Sequence, residues 1–207
     1  MKEEVRINLG SGPDGIKGWI NYDWGLLPLF GKFPLFRKVL VTLGILDKSY
    51  ERKWEGVVLH DLRKGIPVAD NCVDWVYSSN FLEHLEKYET EKLLSECLRV
   101  LKVNGKIRIV VPDIGKVMEK YKNTGDADVF CREFYGYDKD KMFGMSKSAV
   151  RGHQWMYDFQ SLSNLLNKVG FVKITKSTFR KSTMKDIELL DLSIHQELGL
   201  YIEAEKS

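Results

Sequence analysis

The chain has 207 residues, of which 43% are hydrophobic and 29% charged, a composition typical of a globular protein with one hydrophobic core. Its 32 basic and 29 acidic residues give a net charge of +3, which is too mild for a nucleic-acid-binding surface. The three cysteines lack metal-ligand spacing, and the sequence contains neither a secretory signal nor a run of ~18 apolar residues. We therefore expect a cytoplasmic protein with free thiols, no metal and no nucleic-acid partner.

Strand and helix patterns alternate along the chain, which predicts a parallel sheet with helical crossovers. Seven segments have the pattern of strands: 5–9, 19–23, 56–61, 73–78, 106–111, 172–177 and 200–206. A helix between the fourth and fifth strands is predicted by the spacing of Leu94, Cys97, Leu98 and Leu101. A second helix over 159–169 has Asp158 as its expected N-cap and Gly170 as its stop.

A glycine turn directly follows the first strand. Gly10 and Gly12 would let the backbone approach a ligand closely, although a simple tight turn also explains the pair. Asp23 ends the second strand, where a carboxylate can accept two hydrogen bonds from a ribose diol. Asp61 ends the third strand and could contact an adenine amino group or cap a turn. Because ligands of open α/β sheets bind at the carboxyl ends of the strands, these residues predict a nucleotide-like ligand at that edge.

Four segments together resemble class I S-adenosylmethionine-dependent methyltransferases of the type 11-like group: INLGSG, GWINYD, HDLRKGIPVADNCVDWVYSSNFLEHLE and LRVLKVNGKIRIVVPD. The resemblance covers residues 5–113 and extends to 155–170. It implies a Rossmann-like three-layer α/β sandwich with a seven-stranded, mostly parallel sheet whose last strand is antiparallel. The length suits one domain over 1–207, and the stretches at about 24–55 and 114–157, which do not fit a minimal sheet and follow strand ends, are expected to be inserts that cap the ligand edge.

The same resemblance implies that S-adenosylmethionine is the cofactor of a methyl transfer. The sequence does not identify the acceptor, which we expect to be a small molecule or glycan methylated on oxygen or nitrogen. Carried over residue by residue, it places the cofactor contacts at the ends of the first four strands: Asn8, Gly10, Ser11, Gly12, Asp23, Asp61, Leu62, Ser78, Ser79 and Asn80. His84 then lies one helical turn further on, beside the reaction centre.

Two features depart from the family pattern. Asn8 stands where an acidic residue usually precedes the glycine turn, so it can accept a hydrogen bond from an ammonium but cannot balance its charge. Only ten residues separate Gly12 from Asp23, and a full helix alone usually needs about ten. We therefore expect the first crossover helix to be reduced to a turn, with the segment 26–46 covering the exposed face of the sheet.

The acceptor side is predicted around two histidines. His84 and His153 are candidate general bases, because an imidazole has a suitable ordinary pKa. His153 lies immediately before the helix that leads to the sixth strand, a junction expected to overhang the pocket. Two residues of this junction are aromatic: Trp155 and Tyr157 are either walls of the acceptor pocket or anchors of the insert.

Three alternatives stay open at this point. A non-catalytic sensor or scaffold that binds S-adenosylmethionine would have the same loops. An NAD-dependent oxidoreductase is suggested by the formal G-x-G-x-x-G pattern from Gly10 to Gly15, but the short span to Asp23 leaves no room for its long helix. The apolar segment 26–46 could also contact a membrane surface.

Overall fold

The computed structural model describes residues 4–13, 15–25, 28–29, 32–44, 54, 56–136 and 151–207. Within them lies a seven-stranded sheet of order β3-β2-β1-β4-β5-β7-β6. Its strands are β1 Arg6–Leu9, β2 Ile20–Asp23, β3 Val57–Leu59, β4 Val73–Ser79, β5 Leu101–Pro112, β6 Phe171–Ser177 and β7 Gly199–Lys206. β1 to β5 pair in parallel, whereas β7 runs antiparallel to both β5 and β6. The predicted α/β fold with an antiparallel last strand is confirmed.

Six α-helices occur in the described residues: α1 Pro34–Thr42, α2 Lys87–Val100, α3 Ile114–Thr124, α4 Ala127–Tyr135, α5 Phe159–Val169 and α6 Ile187–Leu190. The predicted helix over 159–169 has the expected bounds. Asp158 accepts a hydrogen bond from the Ser161 amide at its start, and Gly170 ends it with a φ of 114°.

One face of the sheet is covered by α2 and α5, which also pack against each other. The predicted stripe of α2 is buried through Leu94 and Cys97, and α5 contributes Leu162 and Leu166. This side holds the larger hydrophobic core of the described residues. It fixes the positions of β1, β4 and β5, whose carboxyl ends lie beside the candidate site.

The opposite face is covered by short elements. Trp19, Tyr77, Met184 and Leu190 form a second, smaller core there, supplied by the turn after β1 and the segment after β6. The described part of the segment 26–46 contributes no residue to this second core, and its predicted cover of the sheet stays a prediction. In α1 only Leu40 is buried, because the other apolar side chains of that helix point outward.

The connection from β1 to β2 contains turns and no helix among its described residues, 10–13 and 15–19. The reduced first crossover is confirmed, since the ordered chain reaches Ile20 without a helical segment. No helix in the described residues is long and apolar enough to cross a membrane.

Candidate functional site

The glycine turn forms the first part of the site. The amides of Gly10 and Ser11 both donate to the carbonyl oxygen of Tyr22, at 2.9 and 3.1 Å, which ties the turn to the end of β2. Gly10 has a φ of 66° and a Cβ there would overlap the Phe81 ring. Gly12 also has a positive φ, but the space beside its Cα is open. The turn thus presents bare backbone to a ligand on the Gly12 side.

Asp23 lies next to this turn. One of its carboxylate oxygens accepts from the Gly12 amide at 2.7 Å, and the other accepts from the Trp24 amide at 2.6 Å. Burial raises the pKa of Asp23, and the two backbone hydrogen bonds partly offset that rise. Each oxygen retains a further lone pair, so the carboxylate can still accept hydrogen bonds from a ribose.

Asp61 is more fully engaged than Asp23. Its side chain caps the 3₁₀ turn at residues 62–64 and forms a two-point ion pair with Arg63, at 2.8 and 2.9 Å. That hydrogen-bonded partner lowers the pKa of Asp61. Leu62 is buried directly behind it. The turn-capping alternative is therefore realised in the structure, and the contact of Asp61 and Leu62 with adenine remains a prediction.

The end of β4 brings three polar residues to the same edge. Ser78 is buried and its hydroxyl has no hydrogen-bond partner among the described residues. The Ser79 hydroxyl lies 3.4 Å from the Asn80 side chain, and Asn80 itself has a φ of 48°. Asn8 is buried beside Asn21, to which its amide donates at 3.3 Å. Ser78 is thus the member of this group with an unused hydrogen-bonding valence.

The two candidate histidines meet in space although 68 residues separate them in the chain. Their ring centroids are 5.1 Å apart with a 63° interplanar angle. Burial lowers the pKa of both rings, that of His153 to about 4. Both imidazoles are therefore neutral at pH 7, and the pKa of His153 is lower than the value best suited to a general base.

Glu83 was missed by the sequence analysis. Its side chain is 0% exposed, and neither carboxylate oxygen has a hydrogen-bond partner among the described residues. Burial raises its pKa to about 8. Ligand atoms of Glu83, His84 and His153 lie within 4.8 Å of one another. The available signal was a single acidic residue between the apolar neighbours Leu82 and Leu85, next to a histidine already chosen.

The two aromatic residues predicted as pocket walls, Trp155 and Tyr157, have different surroundings in the structure. Trp155 is 41% exposed, and the Lys87 ammonium lies 5.0 Å from the centre of its ring. Tyr157 is buried, and its hydroxyl donates to the Thr90 hydroxyl at 3.2 Å. Tyr157 therefore anchors the insert to the core, which was the alternative to a pocket wall.

Comparison with known proteins bears on the fold and on the part of this edge from Asp61 to Asn80. Residues 43–109, about a third of the chain, match the family model described as a methyltransferase domain. Among curated proteins none matches the chain significantly.

Solved structures share the fold over the full length. A S-adenosylmethionine-dependent methyltransferase from Methanosarcina mazei has a TM-score of 0.56 and 16% identity, with 100% of this chain and 94% of that one covered. Another from Archaeoglobus fulgidus has a TM-score of 0.53 and 16% identity, over 98% and 86% of the chains. A third, from Thermotoga maritima and described as a possible histamine N-methyltransferase, has a TM-score of 0.51 and 16% identity, over 100% and 84%.

The chain therefore has the fold of class I methyltransferases, and its residues 43–109 match a methyltransferase-domain family model. At such low identities the solved structures establish the fold alone, so the assignment of activity depends on the family match and on the edge itself. At this edge the space beside Gly12 is open, so a ligand can approach the backbone there, whereas the unpartnered hydroxyl of Ser78 is buried.

Proposed function

We propose that this methyltransferase transfers the methyl group of S-adenosylmethionine to an oxygen or nitrogen of a small-molecule or glycan acceptor. The observation that carries the proposal is the hydrogen bond from the Gly12 amide to Asp23, which joins the glycine turn and the carboxylate into one ligand edge. When bound, the cofactor supplies a methyl group on a sulfur that is already a good leaving group. The protein must therefore supply mainly position and exclusion of water.

In this proposal the residues at the strand ends contact different parts of the cofactor. Asp23 would accept the ribose hydroxyls, and Asp61 with Leu62 would flank the adenine. The methionine portion would lie along the glycine turn, over the bare backbone at Gly12 and beside Gly10, which packs against Phe81. Asn8, Ser11, Ser78, Ser79 and Asn80 complete the predicted contacts. The Ser78 hydroxyl has no hydrogen-bond partner among the described residues, and because it is buried the cofactor would reach it only after a local rearrangement.

The acceptor side would be formed by His84 and His153. Phe81 packs against Gly10, and His84 follows in the next 3₁₀ turn, so the histidine pair lies one turn beyond the predicted methyl site. Neutral imidazoles there can hold an acceptor through nitrogen lone pairs. We expect His153→Ala to lower turnover more than cofactor affinity, and an equal loss of both would remove His153 from the acceptor side.

The oxidoreductase alternative is weakened by the turn after β1. A dinucleotide pyrophosphate needs a helix N-terminus directly after the glycine loop, and the described residues of 10–19 form none. The exposed apolar side of α1 keeps the membrane-surface contact as a prediction, which sedimentation with anionic vesicles would test.

Cofactor binding and labelled methyl transfer test the proposal directly. Calorimetry should show binding of S-adenosylmethionine and S-adenosylhomocysteine, with no binding of NAD. Asp23→Ala should weaken cofactor binding by about 100-fold, which corresponds to ~2.7 kcal/mol. Asp70→Ala is the matched control, because that carboxylate is exposed and paired with Arg99 before the start of β4. Affinity within twofold of wild type in Asp23→Ala would refute the ribose assignment.

Transfer of labelled methyl to a metabolite or glycan extract separates an enzyme from a sensor. An enzyme labels at least one acceptor in a cofactor-dependent reaction. Binding without any labelled product from such extracts would favour the non-catalytic sensor.

A further inference from the structure

The described residues around Glu83 do not compensate the charge that its side chain would carry if it were ionised. The side chain is fully buried, and both carboxylate oxygens lack hydrogen-bond partners there. An ionised carboxylate in such a place costs several kcal/mol unless a cation or hydrogen-bond donors compensate it. The group therefore needs either a proton or a positively charged ligand.

The two neighbouring histidines are oriented by the backbone. Nδ1 of His84 lies 2.6 Å from the carbonyl oxygen of Arg151, and Nδ1 of His153 lies 3.1 Å from that of Phe134. A carbonyl oxygen can only accept, so each Nδ1 must be the protonated nitrogen. In a neutral ring the lone pair is then on Nε2. Metal-binding histidines are typically held in this way, with the second ring nitrogen donating to a carbonyl or carboxylate.

The three side chains are close enough to share one ion. One ligand atom from each of Glu83, His84 and His153 lies within 4.8 Å of the others. In tetrahedral zinc sites bond lengths of about 2.0 to 2.1 Å place ligand atoms about 3.4 Å apart. Side-chain adjustments of about an ångström would therefore complete the site.

We propose that Glu83, His84 and His153 bind one divalent transition-metal ion. Two imidazoles with one carboxylate form the ligand set of catalytic zinc sites and of non-haem iron sites, whereas magnesium and calcium prefer oxygen ligands throughout. The backbone supports the set, because the amides of Gln154 and Trp155 both donate to the Glu83 carbonyl and dock the His153 segment on it.

Three protein ligands leave at least one coordination position open. If the function proposed above is correct, that position would hold an oxygen of the acceptor, since the cluster lies one turn beyond the predicted methyl site. This step rests on the proposed function and favours hydroxyl-bearing acceptors over amines. The metal site itself does not depend on it.

The test uses the full chain after treatment with a chelator. Calorimetric titration with Zn²⁺ should give one site per chain with a Kd of about 1 μM or lower, or −8.2 kcal/mol. Titration with Co²⁺ should give visible absorption bands of a low-coordinate site with nitrogen and oxygen ligands. Glu83→Gln and His153→Ala should each weaken Zn²⁺ binding by at least about 100-fold, because even outer-shell partners are worth 10- to 100-fold.

His195→Gln is the matched control, since this histidine lies in a separate 3₁₀ turn before β7 and outside the cluster. It should bind Zn²⁺ as wild type does. Circular dichroism and S-adenosylmethionine affinity are measured on every variant, so that a folding defect or a failure of the cofactor assignment is recognised separately. The absence of a stoichiometric site in the wild type, or wild-type affinity in Glu83→Gln and His153→Ala, would overturn the proposal.

Discussion

Two buried ionisable groups of this protein have opposite surroundings. Arg108 in β5 is 0% exposed, and it donates to Asp191 at 2.6 Å, to Glu203 at 2.8 Å and to the backbone carbonyls of Thr178 and Lys181. Glu83 is equally buried and has no such partners in the described residues. Burial of an ionisable group therefore does not by itself indicate a ligand site. The feature that distinguishes Glu83 from Arg108 is its lack of hydrogen-bond partners.

Asp191, which pairs with Arg108, has further hydrogen bonds of its own. Asp191 also accepts from the Tyr77 hydroxyl at 3.1 Å and from the Arg180 amide at 2.8 Å. These bonds fasten the segment after β6 to the face of the sheet. Burial opposes ionisation of Arg108, but its carboxylate partners outweigh it and raise the pKa of the guanidinium. Nothing in this cluster is left to bind a ligand.

The largest expected effect is therefore on stability at Arg108. Arg108→Met should lower the free energy of unfolding by about 3 to 5 kcal/mol, because it leaves Asp191 buried without its cation. Urea denaturation measures this loss. Lys106→Met in the same strand is the control and should cost less than about 1 kcal/mol, since its ion pair with Glu205 is partly solvated. A loss below 1 kcal/mol in Arg108→Met would show that the closed cluster is dispensable.

At Glu83 we expect an apolar substitution to stabilise the protein instead of destabilising it. In chelator-treated protein, Glu83→Met should raise the free energy of unfolding by about 1 to 3 kcal/mol, the cost of leaving a buried polar group unsatisfied. The substitution keeps a similar volume and removes both unpartnered oxygens. Urea denaturation of wild type and variant, each without metal, measures the difference. Destabilisation instead would mean that Glu83 has a structural partner and resembles Arg108.

The fold could be predicted further than the site. Strand identity followed from alternating and apolar patterns, so β1, β4 and β7 begin within one residue of their expected starts. The missing first helix followed from the short span between Gly12 and Asp23. The residues that cover the opposite face of the sheet could not be predicted from the sequence, because Met184 and Leu190 lie in a segment without a regular apolar period.

The site could be predicted where it depends on strand ends and not where it depends on packing. Asp23 could be chosen as a candidate because the end of β2 is visible in the sequence, and it lies beside the glycine turn in the structure. Glu83 was missed because its lack of partners is a property of three dimensions, and the 4.8 Å cluster joins residues from distant parts of the chain. Tyr157 was ambiguous for the same reason, since an aromatic residue before a helix suits both a wall and an anchor.

The ion pair of Glu96 and Arg99 is half-buried, and its loss should have the smallest effect on the free energy of unfolding. Glu96 bonds to Arg99 at 2.7 Å and accepts from the Ile66 amide at 3.0 Å, and the Arg99 hydrogen bond is the main reason why its pKa is lowered from 4.5. A folded-state pKa below the unfolded value gives stability that is present above pH 4.5 and is lost as the pH falls below it.

Unfolding free energies of wild type and Glu96→Gln, measured at pH 7 and at pH 3.5, should therefore differ more at pH 7. The difference at pH 7 should stay below about 1 kcal/mol, because both side chains are partly solvated. A pH-independent difference for Glu96→Gln would mean that shape and packing, rather than charge, account for this pair.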